Sequence, residues 1–403
     1  MPYRSRRFRI SLAFIAALRL VVNTAHRLVY PFLPAIARGL GVSLEQAGLL
    51  VSARWIAGLG TPGVVRVVGR GEQHRRLIGA GLAIFTLGAA ITSASNVYLG
   101  AVAGFVLMGI AKPLYDVSSQ AYVADRVPYA QRARYLGIVE LTWAGGLLVG
   151  APAAGWLIDR AGWNAPFWVL AGLAAAAVAL HGLILDGTGD HHEGPDAAVP
   201  WGRSAIAFLV AAGITSGASE VMFVVLGAWL EDRFALSLVT LGGVAMLIGA
   251  AELVGEGSTV AFTDRLGKRT SVAIGIAVAG AGFLLLAGLS GSLHAGMAGL
   301  MVAYLGFEFT IVSSIPLASE MWPRSRARFL AWMVVTMYVG RGVGAAVGPV
   351  LYTAFGVAGN ALVAALANMV ALGIFLGWVR DLGDGAAAAP PAVPDSGGTG
   401  RRS

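Results

Sequence analysis

Five bases and six acids sit inside runs of sequence that are otherwise apolar. They are Arg19, Arg27, Arg54, Lys112 and Arg341, against Asp116, Glu140, Glu220, Glu252, Glu256 and Glu308. In an apolar setting such side chains can pair and fix helix positions, bind a charged solute, or, for a carboxylate, take up and release a proton. Any one of them, Arg54 or Arg341 for instance, reads most simply as half of a structural pair. As a set they require a polar interior, because each costs at least about 2.5–3.5 kcal/mol at a bilayer centre unless it meets water or a partner.

Their spacing groups them further. Arg19, Asn23, His26, Arg27 and Tyr30 recur at helical intervals and form one polar stripe. Lys112 and Asp116 are four apart and able to pair along a helix face, and Pro113 between them is expected to loosen that helix. Ser216, Ser219 and Glu220 share one run; Tyr304, Glu308, Ser313 and Ser314 share another. Asp116 and Glu140 fall at similar depth and are the first candidates for proton exchange. Glu220, Glu252 and Glu308 compete with them.

Other chemistries lack their residues. There is no cysteine, hence no thiolate nucleophile and no disulfide. No nucleophile elbow, HExxH helix or phosphate loop is present, and the glycines Gly340 and Gly344 lie in the middle of an apolar run. His191-His192-Glu193 lies in a polar segment and reads as solvated linker, not a metal site. No metal, no cofactor and no enzymatic activity are expected.

The elements that must position these charges follow from composition. Of 403 residues, 57% are hydrophobic and 12% charged, against about 25% charged in a soluble domain. Mean hydropathy is +0.73. A soluble fold cannot hide that much apolar surface, so the solvent is lipid. Runs near 20 residues give twelve spans: 10–36, 44–66, 77–94, 97–122, 135–158, 165–185, 204–230, 238–262, 271–289, 295–318, 329–352 and 357–379. All should be helices, because lipid satisfies no open backbone group. The arginine-rich start (Arg4, Arg6, Arg7, Arg9) leads into a run that continues past Arg19 and Arg27, so it is read as a retained first span.

With the amino terminus inside, 21 of the 29 Lys and Arg fall in cytoplasmic segments and three (Arg38, Arg160, Arg233) in outside loops. That asymmetry places both termini in the cytoplasm of a multi-pass cell-membrane protein. It also accounts for the net charge of +8 without a nucleic-acid partner. The intramembrane charges occupy spans 1, 2, 4, 5, 7, 8, 10 and 11 and spare 3, 6, 9 and 12. Every third helix can thus face lipid all round while the others surround something polar.

The chain repeats at an offset of 194. Arg132-Ala133-Arg134-Tyr135-Leu136 falls on Arg326-Ala327-Arg328-Phe329-Leu330, and Gly146 and Gly150 fall on Gly340 and Gly344. With a one-residue gap, Ser118-Ser119 falls on Ser313-Ser314, Asp125 on Glu320 and Pro128 on Pro323. The repeat predicts an all-α membrane protein of twelve transmembrane helices in two six-helix, pseudo-symmetric halves. The halves are 1–185 and 204–380, joined by a cytoplasmic linker, 186–203. An Ala-, Gly- and Pro-rich tail, 381–403, is expected to be disordered.

Three features carry a resemblance to the major facilitator superfamily. Thr263-Asp264-Arg265-Leu266-Gly267-Lys268-Arg269 resembles the family's loop motif between spans 8 and 9. Gly146, Gly150, Pro152 and Gly155 resemble the kinked, closely packed antiporter motif of exporters, echoed by Gly340, Gly344, Gly348 and Pro349. Asp125-Arg126-Val127-Pro128 followed by Arg132 resembles the loop after span 4. Two positions depart from the pattern. Arg70 stands where the first-half loop should have its Asp, and Phe105 replaces the usual span-4 arginine, with Lys112 the nearby base to take its role.

The resemblance implies a secondary transporter of the drug:proton antiporter-like kind. Its halves rock about a midplane cavity to export a small molecule against protons, with the proton gradient as energy source and the monomer as functional unit. Uptake symport or facilitated diffusion is the alternative within transport; a receptor or membrane enzyme on the same fold lies outside it. The expected pathway residues are Arg19, Asn23, Arg27, Arg54, Lys112, Asp116, Glu140, Glu220, Glu252, Glu308 and Arg341. The expected cytoplasmic latch is Asp264, Arg265, Gly267, Lys268 and Arg269, with Asp264 rather than Arg70 as its anion.

Overall fold

The structure, a computed structural model, describes residues 5–61, 73–187, 201–322 and 326–380. Arg70, the His191-His192-Glu193 segment, Pro323 and the tail 381–403 lie outside these. The described chain is helical, with no strand among the described residues. Ten stretches of it are long and apolar enough to cross a membrane. Arg328–Trp378 holds two spans in one such stretch, and the span opening at Leu44 runs on into residues that are not described. Twelve helices are consistent with this count.

The helices, in chain order, are α1 (Arg6–Arg27), α2 (Val29–Leu40), α3 (Leu44–Ala57), α4 (Gln73–Ala94), α5 (Tyr98–Ala124) and α6 (Tyr129–Glu140). A single turn, Thr142–Gly145, and a π-helical segment, Gly146–Gly150, lead into α7 (Ala151–Ala161), which is followed by α8 (Ala165–Ile184). There follow α9 (Arg203–Phe223), α10 (Leu226–Phe234), α11 (Leu238–Leu266), α12 (Lys268–Leu289), α13 (Leu293–Met321) and α14 (Arg326–Trp378), the last being two helices joined at Gly356, where the backbone leaves the helical region at φ 64°. Polar starts define several of them. Ser5 accepts from Phe8 N at 3.1 Å, Ser43 and Gln46 form a reciprocal capping box, and Ser237 accepts from Thr240 N. Gly267 turns the chain between α11 and α12 at φ 83°, a conformation side-chain-bearing residues avoid.

The first span is two helices, parted at Leu28, so the polar stripe continues across a break. Pro113 does not interrupt α5, which is held between α3 and α4. The fifth span is irregular where its glycines cluster: Gly146–Gly150 is π-helical, the extra residue per turn being a common mark of functional helices.

Two groups of helices pack within themselves. In 5–187, α4 lies on α5 and α8, and α1 on α8; in 201–380, α12 lies on α13 and α14, α9 on α14, and α11 on α13. The groups meet where α2 touches α10, α3 touches α14, and the π segment and α7 touch α11. These meeting points lie towards one end of the bundle, the far end, away from the start of α1 and the turn at Gly267. Backbones come very close there. A Cβ on Gly155 would lie 2.6 Å from Leu238 O, and one on Gly227 would lie 2.2 Å from Pro31 O. Neither position admits a side chain without parting the groups.

Candidate functional site

The polar stripe of α1 and α2 reaches three clusters in turn. Nearest the start of α1, Arg19 grips Glu140 with both terminal nitrogens, at 2.8 and 2.9 Å, and its Nε lies 3.2 Å from Asp116 Oδ1. Lys112 donates to Asp116 at 2.6 Å and to Asn23 Oδ1 at 2.7 Å, while Asn23 donates to Thr142 and Gln120 donates to Glu140. The Glu140 side chain is 48% exposed although the guanidinium it holds is buried. This cluster is therefore accessible on one side, unlike the two that follow.

Midway, Arg27 Nη2 donates to Glu252 Oε2 at 2.5 Å, both side chains 1% exposed. The guanidinium is stacked between Trp143, 4.4 Å away, and Phe223, 5.0 Å away. This pair joins the two groups, α1 to α11. Pairing at such depth is tolerable only with this geometry, because desolvating two charges costs several kcal/mol each.

Deeper towards the far end, Glu220 is fully buried and accepts three hydrogen bonds. Tyr30 Oη and Trp55 Nε1 donate to Oε1, each at 2.9 Å, and Arg341 Nη1 donates to Oε2 at 3.0 Å. Tyr30 and Trp55 belong to the first group, Glu220 and Arg341 to the second. Beyond them Arg38 pairs with Glu231, again across the groups, at 2.7 Å.

Two pathway residues fall outside these clusters. Arg54 is buried and makes no ion pair with a described residue. Glu308 is buried and makes no hydrogen bond or ion pair with a described residue; its electrostatic neighbours include the carboxyl groups of Glu252 and Glu256. Arg54, not Lys112, is the base that neighbours Phe105, its guanidinium 5.8 Å from that ring. Lys112 is committed to Asp116 and Asn23.

The 264–269 segment divides. Asp264 and Arg265 are exposed and pair with no described residue. Lys268 pairs with Glu320, and Arg269 donates to the carbonyls of Val379 and Leu376 at the end of α14. Lys268 and Arg269 thus tie their own group together rather than bridging to the other.

Tyr30, Trp55, Trp143, Phe223 and Glu256 join the site beyond the eleven expected pathway residues. Tyr30 and Glu256 carried a signal, a polar stripe position and an intramembrane charge. The rings of Trp55, Trp143 and Phe223 carried none, because an aromatic in a span looks the same whether it faces lipid or a guanidinium.

Comparison with known proteins agrees with this architecture. The family described as Major Facilitator Superfamily matches over residues 13–258. The uncharacterized MFS-type transporter YbcL of Bacillus subtilis is 23% identical over 371 residues, 89% of this chain and 93% of that one. The uncharacterized MFS-type transporter Rv1877 of Mycobacterium tuberculosis is 29% identical over 173 residues, 41% of this chain but only 24% of the relative, so that match spans about a quarter of its length. A bacterial homologue of the human lysosomal transporter Spinster, solved in an inward-facing and occupied conformation, superposes with a TM-score of 0.74 at 14% identity, over 93% of this chain and 97% of that one. Its likeness concerns the fold. With a family match over more than half its length, an all-helical membrane-spanning fold and buried charges lining the seam between two helix groups, the chain belongs to the major facilitator superfamily of membrane transporters.

Proposed function

We propose that this transporter exports a small molecule in exchange for protons, by alternating access, as a monomer in the cell membrane. The single observation behind this reading is the lopsided seam. Buried cross-group bonds and backbone-to-backbone contacts close the far end, while Glu140, towards the other, is half exposed. The basic residues concentrated at the open end support placing it, with both termini, in the cytoplasm. In that frame the described state is open to the inside, and opening outward requires the Tyr30, Trp55 and Arg27 bonds to part. The π segment at Gly146–Gly150, pressed against α1 and α11, supports export over uptake, since it sits in the motif that resembles that of antiporters.

Proton exchange is assigned to Glu308. Asp116 and Glu140 are tied to Arg19 and Lys112, and a carboxylate in such a pair cannot change charge without stranding its partner. Glu308 has no such tie. In inverted vesicles, substrate should drive proton efflux in the wild type. Glu308→Gln should lose that efflux and keep substrate counterflow, which needs no proton. Asp116→Asn should lose both, by leaving Lys112 without its carboxylate and Arg19 with Glu140 alone. Proton movement at the wild-type rate in Glu308→Gln removes this residue from the mechanism.

Asp264 is assigned to the opposite state, in which the cytoplasmic end shuts and the exposed carboxylate finds a partner. Asp264→Asn should leave the melting temperature within about 1 °C of wild type, as surface changes do, yet slow transport several-fold. It should also impair transport more than Arg70→Ala at equal expression. The reverse ranking rejects the latch.

A further inference from the structure

Four of the five intramembrane bases have a carboxylate: Arg19, Arg27, Lys112 and Arg341. Arg54 has none. Arg54 is 1% exposed, its Nη1 donates to His26 O at 3.1 Å, Tyr30 and Glu220 are its favourable polar neighbours, and its buried Nε and Nη2 make no hydrogen bond of good geometry to a described residue. Glu220 is the nearby acid, but it accepts from Tyr30, Trp55 and Arg341 and forms no ion pair with Arg54. A guanidinium does not shed its charge in a protein, and an unpaired one out of water carries a heavy desolvation cost. The N–H groups left open form part of a planar fork that suits a carboxylate.

What surrounds the fork is aromatic. Its central carbon lies 5.6 Å from the Trp55 ring, 5.8 Å from Phe105 and 5.9 Å from Tyr30. Trp55 meets Tyr338 edge-on at 5.0 Å, and Tyr338 is partly exposed, so rings continue from Arg54 towards a more accessible surface. The position is level with the midway cluster, since Nη1 bonds the carbonyl of His26, the residue before Arg27.

We propose that Arg54 is the head-group subsite for the transported molecule, and that this molecule is an organic anion with a flat or apolar body, of the aromatic or medium-chain carboxylate class. The carboxylate takes the open Nε and Nη2 donors and the body lies among the rings. This rests on the reading of the seam as a transport pathway, but not on proton coupling or direction.

The test uses the purified full chain in detergent, with no gradient, and follows thermal unfolding against a panel of benzoate, phenylacetate and octanoate. At least one should raise the melting temperature saturably. Benzyl alcohol, benzylamine and sodium chloride at equal concentration should not. Arg54→Gln should weaken the apparent Kd of that carboxylate about ten- to a hundredfold, the range for a lost charge-assisted bond, and Arg54→Lys should fall between. Without ligand, Arg54→Gln should melt at or above the wild-type temperature, since it removes a buried charge that has no ion pair. The proposal is overturned if no carboxylate stabilises the protein, if Arg54→Gln binds as wild type does, or if unliganded Arg54→Gln is strongly destabilised, which marks a structural residue. Equal stabilisation by chloride makes this an inorganic-anion site and also overturns it. Loss of proton coupling in vesicles, with these shifts intact, rejects antiport and leaves the subsite standing.

Discussion

Glu220→Ala is expected to abolish transport and to cost the fold about 3–5 kcal/mol, the range for stripping one partner from a buried ion pair. The carboxylate is fully buried and is the meeting point of three donors, two from one helix group and one from its own. Its removal strands Arg341 and leaves the Tyr30 hydroxyl and the Trp55 indole without their acceptor. Two effects are mixed here and are separable. Adding Arg341→Met should recover most of the stability, because no buried charge then lacks a partner, while the cross-group bonds stay lost. The double variant should therefore fold and rest with its far end open more often than wild type. That population can be read directly. The chain has no cysteine, and Ala345, buried against Gly48 at the closed end, can be replaced by cysteine as a reporter. A membrane-impermeant maleimide should label Ala345→Cys slowly in the parent and markedly faster in the double variant. Equal labelling rates mean that the Glu220 clamp does not hold the far end shut.

How much of this was written in the sequence depends on the reach of each signal. Lys112 and Asp116 were legible as a pair because a helix brings residues four apart onto one face, and the 2.6 Å bond follows from that alone. Arg27 and Glu252 are 225 positions apart, and Tyr30 and Glu220 are 190 apart. Polarity marked each of these as interior, but no periodicity within one span selects a partner in another. The repeat did carry three-dimensional information. Gly146 packs against Asn23, and Gly340, 194 residues on, packs against Gly217, itself 194 beyond Asn23. One helix crossing therefore recurs in both groups. The latch motif was legible as a turn, through Gly267, but the partners of Lys268 and Arg269 depend on where α13 and α14 end. The vacancy left by Phe105 was visible too. Its occupant was not, because Arg54 comes from a different span, and the crossing of α3 over α5 at Gly109 is a packing fact.

The Arg27–Glu252 pair sets the strongest demand on the middle of the pathway. Arg27→Glu places a fourth carboxylate beside Glu252, Glu256 and Glu308 with its counter-charge gone, and this variant is expected not to accumulate as folded protein. Glu252→Arg alone sets two guanidiniums against each other and should fare little better. Combined, the two substitutions restore opposite charges across the same gap, and folding should return, with a coupling energy of about 3 kcal/mol, the upper end for residues in contact. Transport should return only partly. In the native arrangement Trp143 and Phe223 sit against the cation, at 4.4 and 5.0 Å, and ring faces attract a cation and repel a carboxylate. The swapped pair presents Glu at that position, so its bound state is poorer and the balance between open and closed seams shifts. Yield on size-exclusion chromatography and thermal unfolding report the first effect, and initial transport rates at matched protein report the second. If the double variant is as unstable as the sum of the two singles, Arg27 and Glu252 act independently, and the pair cannot be the central tie that each transport cycle breaks and remakes.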